Sequence, residues 1–394
     1  MTDSQLLFLV LWLLYLAECW VWVRNGGTAF SGWGLRAGGW ATAGALPGNA
    51  KGGILILNPL PPLGEVFLAE MPQFTLSPDE LRRGGIEHLD RPAAGGPDAA
   101  SRSLDRIRQV SHAGRDLRLD GKLFATLADE AEAGRWSALL TRLLPLPPAA
   151  RAPLIRHQFR ESLDADAAAR RLEECRRDSR LLRGLCNLLW LWLFFIPPLV
   201  AWRVGLSHAF ATALGGTLLL AWGAILPVWL RKHRARLPEL REARFTEGLK
   251  MALFPPAAVR ALDVLLARAM SGFHPLAVAA AVLPAAAFAG FARRVLADLE
   301  QPLPLPGALE AAAVWHREAL REEVRRFLKK RGLNPESLLA PPAATDPGCT
   351  QYCPRCQTLY TELARTCPDC LDLGLAPLPG AGKKPGFAGK SARE

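Results

Sequence analysis

At 394 residues the chain is long enough for two or three domains with cores of their own. Half of it is hydrophobic and those residues are bunched, which argues against an ordinary soluble globule and for a membrane protein with soluble parts. The 48 Lys and Arg against 37 Asp and Glu give a net charge of +11, but the positive runs "RRLEECRRDSRLLR" and "RKHRAR" flank apolar segments and lack aromatic interleaving. They read as membrane flanks and argue against a nucleic-acid surface. The bias toward Arg, Ala and Pro points to a GC-rich bacterial genome.

Residues 6–23 form the first apolar run, close to the ~20 residues that cross a bilayer as a helix. "MTDSQ" precedes the run without a basic side chain, whereas Arg24, Arg36 and Lys51 follow it. Positive residues stay inside, so this segment is expected to be a retained anchor with its N-terminus outside. Glu18 sits near its inner end and reads as a carboxylate reaching headgroups; the alternative is a functional intramembrane acid.

Residues 24–185 read as a cytoplasmic α+β region. "GNAKGG" departs from the phosphate-loop pattern, in which Lys directly follows Gly. Its surroundings predict strands instead, at "ILIL" and "EVFL", separated by the turn-rich "NPLPPLG". "RRGGIEHLDRPAAGGPDAASRS" reads as a linker, and "RQVSHAGRDLRLDGKLFATL" as one or two short strands turning at Asp120 and Gly121. His112 there reads as a surface residue. Helical patterning begins at Leu123 and runs into the next apolar segment, with Cys175 and Cys186 as small hydrophobes.

Residues 187–230 predict a transmembrane helical hairpin, one helix over 187–202 and one over 209–230, joined by "RVGLSH". Six arginines from Arg170 to Arg183 precede it, and Arg231, Lys232, Arg234 and Arg236 follow it. Both outer flanks therefore favour the cytoplasm. Trp190, Trp192, Trp202 and Trp229 fall near the helix ends, where indole rings prefer the interface. Pro197, Pro198 and Pro227 read as packing kinks.

Residues 231–338 read as a cytoplasmic helical region, with one helix starting after Pro255 and Pro256 and a charged one over "GALEAAAVWHREALREEVRRFLKKRGL". Within it, 276–292 is apolar but rich in alanine and broken by Pro284 and Gly290, which favours a buried or interfacial helix over a fourth span. His274 and His316 have no partner ligands at metal spacing.

Residues 350–373 hold two Cys-Pro-x-Cys pairs separated by ten residues, "CPRC" at 353–356 and "CPDC" at 367–370. Two residues between cysteines let a tight turn aim both sulfurs at one ion, and four thiolates suit tetrahedral Zn²⁺. Iron in a rubredoxin-like centre, or a thiol redox pair, would use similar spacing. The segment resembles the zinc ribbon family of small metal-stapled modules, over about 20 residues of the chain. That resemblance implies Cys353, Cys356, Cys367 and Cys370 as ligands of a structural zinc, with Cys349 a spectator or substitute. The short gap, and Leu371 where many ribbons carry Gly, depart from the family pattern. Residues 374–394 are expected to be a disordered basic tail.

The fold class expected is thus a mainly α membrane protein: three transmembrane helices, a cytoplasmic α+β region, a cytoplasmic helical region and a C-terminal zinc ribbon. It would lie in the plasma membrane of a bacterium, with the ribbon in the reducing cytoplasm. A closed four-cysteine site leaves no position for a substrate, and the sequence carries neither H-E-x-x-H nor G-x-S-x-G. These features favour a scaffold or adaptor that docks a cytoplasmic protein partner. The alternatives are a membrane enzyme using region 24–121, with Glu18, Glu65 or His112, and a thiol or zinc redox sensor.

Overall fold

A computed structural model describes residues 2–17, 21–23, 27–31, 40–42, 54–56, 66–70, 74–83, 101–127, 130–236, 269–300, 310–343, 345–346, 348–361, 364–370 and 373–379. It is mostly helical, with several small antiparallel sheets. The expectations for Glu18, Glu65, "GNAKGG", the middle (84–100) of the 82–103 linker, the helix after Pro256 and the tail from 380 lie outside these residues, while the described ends of that linker, Arg82, Arg83 and Ser101–Ser103, are strand.

The chain opens with helix α1 (Asp3–Ala17). Its 15 residues rise about 22 Å, short of the ~30 Å hydrocarbon layer. The span expected over 6–23 is thus not confirmed: residues 18–20 lie outside the described residues. Val21, Trp22 and Val23, β-branched and aromatic residues that favour extended backbone, form strand β1 (Val21–Val23) instead. Strands β2 (Gly27–Ser31) and β3 (Trp40–Thr42) follow, and β1 pairs antiparallel with β4 (Ile54–Ile56), Val21 opposite Ile56. Strand β5 (Val66–Glu70) completes a sheet in the order β3-β2-β5, with Phe30 opposite Phe67. The described residues of "ILIL" and "EVFL" are therefore strand, as their composition predicts.

Strands β6 (Phe74–Leu76), β7 (Glu80–Arg83) and β8 (Ser101–Ser103) make a second sheet. Three strands, not one or two, follow: β9 (Val110–Ala113), β10 (Asp116–Leu119) and β11 (Lys122–Thr126). The turn between the last two is Asp120 and Gly121, both at positive φ (51° and 76°). Asp120 holds that strained backbone by accepting the N–H groups of Arg108 and Gln109 at 2.8 and 2.9 Å. These two sheets and helices α2 (Glu130–Leu143) and α3 (Pro148–Ser162) bury one core, which includes Phe74, Leu81, Leu117, Leu140 and Ile155.

Helix α4 (Ala165–Val204) follows directly after α3. Asp164 caps it, accepting the N–H groups of Asp166 and Ala167 at 3.0 and 2.9 Å. Its 40 residues extend about 60 Å without interruption. Ala165, Ala168 and Leu172 lie in a soluble core, while Arg180–Val204 is long and apolar enough to cross a membrane. Gly205, at φ 80°, ends it, and helix α5 (His208–Arg236) returns, with His208–Val228 meeting the same length criterion. Among the described residues two helices have that length. Their apolar side chains point outward: Leu188 is 68% exposed and Leu220 78%, whereas the core helix of a soluble protein would bury them.

The short helix α1 packs against the C-terminal half of α4, antiparallel to it. The Gln5 side-chain amide donates to the Ala201 carbonyl at 3.1 Å, and the Trp12 indole N–H to the Leu193 carbonyl at 3.0 Å. The second bond has a sequence cause. Pro197 lacks the N–H that would reach back four residues to Leu193, and Trp12 supplies the missing donor. Trp12 is buried there with Leu189, Leu193 and Ile225, and Phe8 meets Phe210 edge-on at 5.3 Å.

After the hairpin come α6 (Pro275–Val282), α7 (Ala285–Glu300), α8 (Glu310–Lys330) and α9 (Pro335–Leu339). The ambiguous 276–292 stretch is thus two helices. The break falls at Leu283, held extended (ψ 146°) by the proline after it. Leu276, Ala277, Val278 and Ala279 have no exposed surface. They share a core with Phe30 and Phe67 of the first sheet, the start of α4, and Phe291, Leu296, Val324 and Leu328. Segments before and after the hairpin therefore fold against each other. His316 pins α8 to β6, its Nδ1 lying 3.1 Å from the backbone nitrogen and 2.9 Å from the carbonyl of Leu76.

Candidate metal centre

The C-terminal segment is built as two knuckles on short hairpins. Strands β12 (Gln351–Tyr352) and β13 (Leu359–Tyr360) flank the first Cys pair; β14 (Thr366–Cys367) and β15 (Leu373–Gly374) flank the second. Strand β16 (Ala376–Pro377) adds to β12, and Leu378 N–H donates to the Thr350 carbonyl at 2.8 Å. The clip accordingly runs to Leu378, beyond the 350–373 boundary expected, and takes in the first residues assigned to the tail.

The ten residues between the pairs bring the four cysteines together. The sulfurs of Cys353, Cys356, Cys367 and Cys370 all lie within 4.8 Å of one another, with 3.6 Å between Cys356 and Cys367. Zn–S bonds of ~2.3 Å at tetrahedral angles need sulfurs roughly 3.8 Å apart, so the set fits one such ion. All four are free thiols, and three are fully buried. Cys349 is buried and free but outside the group. Among the described residues no other group of His, Cys, Asp and Glu gathers at such distances.

Backbone geometry fixes the first knuckle. The Gln357 N–H donates to the Cys353 carbonyl at 2.8 Å, and the Cys353 N–H to the Thr358 carbonyl at 3.0 Å. Closing this turn places Gln357 at φ 62°, a left-handed conformation that favours glycine. Tyr360 donates its hydroxyl to the Cys367 sulfur at 3.1 Å, and the Thr358 hydroxyl lies 3.1 Å from the Cys356 sulfur. Burial pushes the Cys353 thiol up to about 11 and raises that of Cys370. Burial acts on Cys356 in the same direction, but the Thr358 hydroxyl and backbone and the neighbouring thiols outweigh it and bring that group to about 7. A metal ion binds cysteine as thiolate, so loading the cluster displaces any thiol protons it carries.

The clip docks on α7 through its first knuckle. Arg355 makes a two-pronged ion pair with Asp298 at 2.6 and 2.7 Å. Arg293 donates to the Cys356 carbonyl at 3.2 Å and to the Gln357 side-chain oxygen, while the Gln357 amide donates to the Ala340 carbonyl at 2.9 Å. Arg294 lies behind them over the Trp40 ring, 5.1 Å from its centroid, and Trp40 packs edge-on against Phe291. The sequence signals only a pair of cations after an apolar run here; their role as a seat for the clip depends on a segment more than 60 residues away.

Of the other residues singled out in the sequence, His112 is exposed on β9 and away from the cysteines. His274 and His316 are buried and structural, the former capping α6 by accepting the Leu276 N–H at 3.1 Å. Comparison with protein-family models, with curated proteins and with solved structures yields no match to this chain, so the meaning of the site rests on its own geometry.

Proposed function

We propose that this protein is an integral membrane scaffold or adaptor whose cytoplasmic part is stapled by a structural zinc and docks a protein partner. The observation that carries the proposal is the closed four-cysteine cluster seated on a helical core from which α4 runs unbroken into a membrane-length segment. Four thiolates satisfy a tetrahedral ion without a vacant position, which suits a staple better than a reaction centre. Cys353, Cys356, Cys367 and Cys370 would hold the zinc. The first knuckle faces α7, leaving Thr361, Arg365 and Pro368 exposed toward a partner.

The hairpin would cross the plasma membrane with its turn outside, and the antiparallel packing of α1 supports an N-terminus on that same side. The arginines before α4 enters its apolar half would then lie at the inner headgroups, with the clip in the cytoplasm. The test is in-cell crosslinking and co-purification of the full-length chain beside a Cys353→Ser/Cys356→Ser variant, with zinc assayed in both. Loss of zinc together with a specific partner, at unchanged membrane level, is the expected result. Loss of zinc with an unchanged partner set would remove the docking role from the clip.

A further inference from the structure

We infer that Arg293 is a positioning residue of the metal centre, and that metal loading and docking of the clip on α7 are one coupled event. The inference rests on the reading of the four cysteines as a zinc site and adds a reason for the way the clip is seated.

Three observations carry it. First, the contacts that tie the clip to the helical core come from Arg355, Cys356 and Gln357, all in the turn of the first knuckle. A metal bound by Cys353 and Cys356 closes that turn, and the closed turn is what presents Arg355 to Asp298 and Gln357 to Arg293. Second, Arg293 is partly buried, its guanidinium bridges the Cys356 carbonyl and the Gln357 side chain, and its Nε is buried without a partner among the described residues. Third, the charges match. One Zn²⁺ and four thiolates sum to −2, and Arg293 and Arg294 on adjacent α7 positions supply +2 beside them.

Together these make the coupling reciprocal. With metal bound, the partly buried cations face an anionic cluster. Without it the ion that closes the first knuckle is missing, and the turn that presents the Cys356 carbonyl and the Gln357 side chain to Arg293 is no longer held. By linkage, docking strengthens metal binding by the same factor as metal strengthens docking. Groups that orient and balance a metal's ligands from outside its coordination shell typically change affinity about 10–100-fold when removed.

The experiment uses the full-length protein in nanodiscs, with zinc affinity measured by competition against a chromophoric chelator. Thermal unfolding of the soluble core is followed in parallel by tryptophan fluorescence, with and without zinc. Arg293→Gln is expected to bind zinc about 10–100-fold more weakly than wild type, with Arg293→Lys between them. Asp298→Asn, which loosens the Arg355 pair without touching the sulfurs' surroundings, is expected to weaken zinc as well. Removing zinc should lower the unfolding midpoint of the wild-type core and shift that of Arg293→Gln less. Unchanged zinc affinity in both Arg293→Gln and Asp298→Asn, or a wild-type core indifferent to zinc, overturns the coupling and leaves the zinc site standing. A wild-type chain that takes up no zinc overturns the zinc site and this inference with it.

Discussion

Replacing Trp12 by Phe removes one N–H and keeps an aromatic ring in the same pocket. In the wild type that N–H lies 3.0 Å from the Leu193 carbonyl, a group Pro197 has deprived of its helical donor. A net intramolecular hydrogen bond contributes about 0.5–1.5 kcal/mol, and interhelical bonds in membranes average roughly 0.6 with a maximum near 1.7. Because the carbonyl would be left buried without a donor, the loss should fall at the upper end, about 1–2 kcal/mol. Pro197→Ala supplies the missing backbone N–H, so the same Trp12→Phe change should cost less in that background. The assay is a double-mutant cycle on equilibrium unfolding in mixed micelles, with an expected coupling of about 1 kcal/mol. A coupling of zero, with both single variants folded, would refute the claim that the indole answers the proline.

Other outcomes follow from buried groups in the soluble part. Burial pushes both His274 and His316 down to about 4, a Leu76 backbone bond only partly opposing this at His316. The unfolded chain, with histidines near 6.5, then binds more protons, so their contribution is complete above that pH and is lost as pH falls from 6.5 toward 4. Roughly 3 kcal/mol per histidine is at stake, readable as a falling denaturation midpoint that His316→Gln should blunt. Arg151, 3% exposed, donates to the carbonyls of Pro78, Leu143 and Leu144 and pairs with Asp105 at 2.7 Å. Arg151→Met should lower stability by about 3 kcal/mol in chemical denaturation, and a loss under 1 kcal/mol would mean those carbonyls find other donors. At Gln357, alanine keeps the left-handed strain and loses both side-chain contacts, whereas glycine loses the contacts but relieves about 1 kcal/mol of strain. Zinc release should therefore be fastest from Gln357→Ala, with Gln357→Gly between it and wild type; equal rates for the two variants would show that the turn is unstrained.

By itself the sequence determined what neighbouring residues decide among themselves. Unbroken apolar runs marked the two long helices, Cys-Pro-x-Cys spacing marked the four sulfurs, and Asp120 beside Gly121 marked a turn that the backbone does make with both residues at positive φ. Proline and the high alanine content of 276–292 likewise pointed to a buried or interfacial helix, because neither favours an unbroken membrane span; the structure makes it two helices, α6 with buried side chains. Tertiary structure decided everything that needed a distant partner. At the end of the first apolar run Val21, Trp22 and Val23 pair with a strand at Ile54–Ile56, a pairing hydropathy does not encode. Trp12 answers Leu193 across 181 positions, His316 answers Leu76 across 240, and Arg293 reaches the first knuckle across more than 60. A single polar side chain carries no mark of its partner; packing brings the two together, and burial then makes leaving either one unpaired costly.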